Sequence, residues 1–181
     1  MNMSNYATEI QNIARILRNK NLCLDTSPLT SHLYDKRIHR VESLNFRISD
    51  VPRNTIPKLV MLNVLLDVML EDGNSDIPIS KYYFRMTVEG MDENSRIKKS
   101  SWHLDYDNSD NQEYAHPCFH LTWGGGMIKD LDLGDVLFLP TPRISYPPMD
   151  IVLGIDFVLS NFIKSDVYKQ IQSDSQYKAA V

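Results

Sequence analysis

Apolar and polar residues change their period several times along the chain, and each change marks an element. Tyr6, Ile10, Ile13, Ala14 and Leu17 recur three and four residues apart, which is one apolar stripe of a helix. Ser4 stands before the stripe as an N-cap, and residues 19–21 end it. From 25 to 39 no period survives, which predicts a long loop. Leu44, Phe46 and Ile48 then alternate with Ser43, Asn45, Arg47 and Ser49, the pattern of a half-buried strand.

Residues 58–72 are dense in Leu, Val and Met, and a period of two does not describe them. Asn63, Asp67 and Glu71 lie four apart, as a narrow polar stripe on a largely buried helix would place them. Gly73 stands at the helix C′ position, and Leu and Met favour helix over strand. The segment is expected to be a helix, with a buried strand pair as the alternative.

An antiparallel meander follows. Tyr82, Phe84, Met86 and Val88 alternate with Tyr83, Arg85, Thr87 and Glu89, and Gly90 opens a charged loop running to Lys99. Trp102, Leu104 and Tyr106 alternate with Ser101, His103, Asp105 and Asp107. Phe119, Leu121 and Trp123 do so with Cys118, His120 and Thr122, until Gly124, Gly125 and Gly126 break the strand. Residues 136–139 read as a last short strand. Pro140, Pro142, Pro147 and Pro148 hold the chain extended.

A helix is expected from about Met149. Ile151, Ile155, Val158, Leu159 and Phe162 form one face, and the rest is apolar enough for it to be the central helix packed on the sheet. Ser165 caps a final amphiphilic helix, and about 173–181 read as a frayed tail. These elements predict a single α+β domain over 1–181, an antiparallel meander of about four to five strands packed against three to four helices.

Composition narrows the function classes. A net charge of −4 and a pI near 5.7 give no general attraction to nucleic acid or anionic lipid. Two cysteines are too few for a disulfide framework. No apolar h-region follows the N-terminal segment with Glu9 and Asn12, and no window reaches the ~18 apolar residues of a membrane span. The expected location is the cytoplasm, with no membrane partner.

Candidate chemistry concentrates between Trp102 and Trp123, a stretch holding three of the five histidines and both tryptophans. If the strands around 103 and 120 form a hairpin, one register places His103 opposite His120, Asp105 opposite Cys118 and Asp107 opposite His116. A shift by two would keep the face and change the partners. Imidazole, thiolate and carboxylate are metal ligands, so His103, Asp105, His116 and His120 are the candidate metal set, with zinc or another divalent ion as the cofactor. Without metal, His103, Asp105 and His120 could do acid–base work, since histidine titrates near neutrality. Arg143, Asp107 and Cys118 are candidate binding residues, Arg143 suiting a phosphate or carboxylate. The competing reading is a solvated sheet face, because a one-sided antiparallel sheet requires a polar side. Asp156, on the apolar third helix, is either a buried carboxylate facing this site, one hydrogen-bonded to a neighbouring loop, or one exposed at a gap in packing.

The succession Trp102-His-Leu-Asp-Tyr-Asp, His116-Pro-Cys-Phe-His-Leu, Gly124-Gly, Pro140-Thr-Pro-Arg-Ile, Pro147-Pro-Met-Asp and Phe157-Val-Leu-Ser-Asn-Phe resembles an uncharacterised bacterial family of domains of unknown function. Such domains accompany mobile elements and phage-defence operons. The likeness covers the C-terminal half. It implies a prokaryotic source and a multi-component system, and it brings no activity and no catalytic residue. The function expected from all this is an accessory or binding component that recognises a protein partner, itself or a ligand through the polar face of the 101–123 hairpin. The alternative is a small metal-dependent hydrolase, of phosphodiesterase or nuclease type, using the His/Asp cluster.

Overall fold

The computed structural model describes residues 3–31, 38–51, 58–72, 79–106, 119–124, 144–145 and 148–181. The expected strand at 136–139 lies outside them. The elements run α1 (Met3–Asn19), α2 (Ser27–Thr30), β1 (Ile38–Ile48), β2 (Leu59–Asp72), β3 (Ile79–Asp92), β4 (Ile97–Tyr106), β5 (Phe119–Trp123), β6 (Ile144–Ser145), α3 (Ile151–Phe162), α4 (Ser165–Gln172) and α5 (Ser175–Ala180). Each strand pairs antiparallel with the next, in the order β1-β2-β3-β4-β5-β6. The fold is α+β: an open meander, five strands long with a two-residue sixth, carrying helices.

Residues 58–72 are not a helix. Leu59–Asp72 is the long strand β2, hydrogen-bonded to β1 on one side and β3 on the other. A spacing of four is a multiple of two, so Asn63, Asp67 and Glu71 share a strand face as readily as a helix stripe. Leu65 and Met69 stand between them on that same face, half-buried, and this hides the alternation. Leu62, Val64, Leu66 and Val68 point the other way and are buried. A central strand with apolar residues on both faces carries no clean period-two signal.

Strand β1 also extends further back than the alternation at 43–49 predicts. A bulge between Val41 and Leu44 turns both onto the core face although they are three residues apart. Ser43, at the bulge, has φ 55°, and its amide donates to Asp67 Oδ1 at 2.7 Å. Within the expected loop 25–39, residues 27–30 form the short helix α2. The end of α1 agrees with its sequence signal. Asn21 is left-handed (φ 54°), with Leu22 N donating to Leu17 O and Asn21 N to Arg18 O, a Schellman termination.

One core joins the Leu62–Val68 face of the sheet to Ile10, Ile13 and Leu17 of α1 and to Ile155, Val158 and Leu159 of α3. The third helix lies on β1 and β2, as its apolar character predicts. Its cap is Asp150, whose side chain accepts from Leu153 N at 2.9 Å. Gly154 lets it approach closely: a Cβ there would lie 3.1 Å from Phe84 Cε2. The expected frayed tail is instead largely ordered helix. Asp174 caps α5 through Gln176 N and Tyr177 N, and Tyr177 is buried. Among the described residues no helix is long and apolar enough to cross a membrane.

Candidate functional site

Alternation along β4 sends Leu104 into the core, with Trp102 and Tyr106 packed against it. It sends Ser101, His103 and Asp105 to the face away from the helices. On β5, Phe119 and Leu121 pack against the core while His120 and Thr122 share the outer face. The division between aromatic and polar faces is the one the sequence predicts. The register differs by two residues from the one expected: Asp105 is opposite His120, and His103 is opposite Thr122. His103 therefore does not face His120. Alternation determines the face but not the partners; in the observed register Tyr106 stacks on Phe119 and Trp102 lies opposite Trp123.

Three strands assemble the patch. Arg85 of β3 lies beside His103, which lies beside Thr122; in the next row Tyr83 lies beside Asp105 and Asp105 beside His120. Thr87 pairs with Ser101 one row the other way. His103 Nε2 is 3.3 Å from Asp105 Oδ2. Burial lowers the pKa of His103 below its ordinary value. The Arg85 guanidinium and His120 push it the same way, while Asp105 opposes them. His103 is thus biased toward the neutral imidazole, with Asp105 as its ion or hydrogen-bond partner.

The patch is not a freely solvated surface. Ser101 is 1 % exposed, Thr87 4 % and His120 5 %. The Ser101 and Thr122 hydroxyl oxygens are buried and have no hydrogen-bond partner among the described residues. A buried hydroxyl without a partner is costly and uncommon. Two of them flank His103, one across the strand pair and one two residues along β4.

His103, Asp105 and His120 stand out in the sequence by residue type, whereas Arg85, Thr87, Ser101 and Thr122 do not. The signal for Arg85 and Thr87 was their place on the polar side of the alternating β3, but their association with the hairpin required the β3–β4 register. Asp107, His116, Cys118 and Arg143 lie outside the described residues. Of the metal set, His103, Asp105 and His120 are described. Among the described residues no group of three or more His, Cys, Asp or Glu side chains is arranged to hold a metal ion. Asp156 does not face the site: its Oδ1 accepts from Tyr168 OH at 2.8 Å and from Tyr177 OH at 2.7 Å, on the helical side. Cys23 is buried, which pushes its thiol up to about 12 and suppresses the thiolate.

No protein-family model, no curated protein and no solved structure matches the chain.

Proposed function

We propose that this protein is a binding component, and that the outer face of β3–β5 is its recognition surface for a ligand or a partner. The observation that carries the reading is the pair of buried, unpartnered hydroxyls of Ser101 and Thr122 beside the His103–Asp105 pair. A merely solvated polar face satisfies its hydroxyls with water and leaves them accessible. Donors and acceptors held on rigid strands and withheld from water are what a recognition site requires. A role as accessory component of a bacterial multi-protein system, defence-associated or not, is consistent with this reading and rests on the C-terminal resemblance.

The test is native mass spectrometry and partner co-purification of the protein from its own host, beside a Ser101→Ala/Thr122→Val double variant. A bound species present on the wild type and lost from a variant of equal thermal stability supports the proposal. Identical spectra and identical co-purifying material for the two proteins would sink it.

A further inference from the structure

Resting on that binding reading, we infer that the ligand carries an oxyanion, a carboxylate or a phosphate group, which the outer face engages through Arg85 together with the Ser101 and Thr122 hydroxyls.

The charge pattern of β3 and β4 singles out Arg85. Lys81 pairs with Glu71 of β2 at 3.3 Å, Lys98 with Asp92 of β3 at 3.8 Å and Lys99 with Glu89 of β3 at 2.6 Å. Each of these cations lies within ion-pair distance of an acid on the neighbouring strand. Arg85 makes no ion pair among the described residues. Its cross-strand neighbours are Asp67 and His103, and Asp67 Oδ1 accepts the Ser43 amide at the β1 bulge. Arginine is a donor only, and its planar fork matches a carboxylate or phosphate.

The two hydroxyls lie on the same face as Arg85. Arg85, His103 and Thr122 form one row across three strands, and Ser101 is on the same face two residues from His103. Neighbouring side chains in such a row have Cβ atoms roughly 4.5–5.5 Å apart. One oxyanion seated over His103 can therefore accept from the guanidinium on one side and from a hydroxyl on the other, which satisfies groups without a partner among the described residues. Asp105 and His120 occupy the next row. Asp105 repels an anion placed on it, so the oxyanion belongs at the Arg85–Thr122 end, with the rest of the ligand toward the Asp105–His120 row.

The experiment is an amide-resolved NMR titration of the full chain with inorganic phosphate in one arm and succinate in the other, against sodium chloride at matched ionic strength. Saturable shifts centred on Arg85, Ser101 and Thr122 are expected with at least one anion, and the stronger arm identifies phosphate or carboxylate. Arg85→Gln should weaken that binding about tenfold, the loss of one charge-assisted contact, and Thr122→Val should weaken it without changing the fold. Shifts no larger than chloride produces, or equal affinity in Arg85→Gln, overturn the inference. If the host-purified protein carries a bound species without carboxylate or phosphate, released by Ser101→Ala/Thr122→Val, the binding reading stands and the oxyanion inference fails. If the host-purified protein loses nothing in that variant, the binding reading itself has failed.

Discussion

The hydroxyl of Tyr82 accepts the amide of Met149 at 2.8 Å and donates to the same residue's carbonyl at 3.0 Å. One side chain of β3 thereby satisfies both backbone groups of the residue that leads into α3. The contact is buried and spans 67 residues of sequence. It anchors the capped end of α3, beginning at Asp150, to the centre of the sheet. Tyr82→Phe leaves both Met149 groups buried without that partner, a loss of about 1–3 kcal/mol. Urea denaturation should report it as a lower midpoint at unchanged slope.

The Asp156 carboxylate does for the C-terminal helices what Tyr82 does for the start of α3. It receives hydroxyls from α4 and from α5, and Arg15 and Lys20 of the α1 region reach Gln176 and Gln170. Asp156→Ala should cost about 1–3 kcal/mol. Hydrogen exchange should rise in 165–180 more than in α1 or the sheet, because those helices lose their shared acceptor.

These tyrosines also predict alkaline behaviour. Burial first, then the hydrogen bond to Asp156, raises the pKa of Tyr177. An acid held protonated in the fold contributes stability that is complete below its unfolded value near 10 and declines as pH rises above it. Thermal stability should fall above about pH 10, and Tyr177→Phe should flatten that fall while lowering stability at neutral pH.

His103 predicts the acid limb. Its pKa is lowered, by burial first, so the native state holds the neutral form and the unfolded chain protonates more readily. The corresponding stability is present above the unfolded value of about 6.5 and is lost as pH falls through the lower native value. An NMR titration of the imidazole should give a value below that of a free histidine. Asp105→Asn should lower it further, and Arg85→Gln should raise it, since these charges act in opposite directions on the ring.

The strand register is directly measurable. Backbone NOEs should join Asp105 to His120 and His103 to Thr122, and none should join His103 to His120. A His103–His120 contact would restore the register expected from the hairpin alone and separate Thr122 from Arg85.

Core packing at Gly154 supplies a last check. Alanine is normally worth about 1 kcal/mol over glycine in a helix, yet here the new methyl meets the buried, immobilised Phe84 ring and Val68. Gly154→Val should lower stability by about 1–3 kcal/mol through overpacking, read as a lower denaturation midpoint.

Much of this was written in the order of residues. The stripe of α1, the apolar helix after Met149 and the two-faced alternation of β3, β4 and β5 follow from side-chain periodicity, because each element has one dry side. The polar patch was legible to the same extent: alternation alone puts His103, Asp105 and His120 on one face. Tertiary structure decided what periodicity leaves degenerate. In 58–72 a four-residue spacing fits helix and strand equally, and pairing on both edges with β1 and β3 made it a strand. The bulge at Ser43, the docking of Tyr177 on Asp156 and the meeting of Asp105 with His120 depend on contacts between distant segments. Arg85 enters the patch for the same reason, since a side chain's lateral neighbours in a sheet are set by register, and register is set by what the whole face packs against.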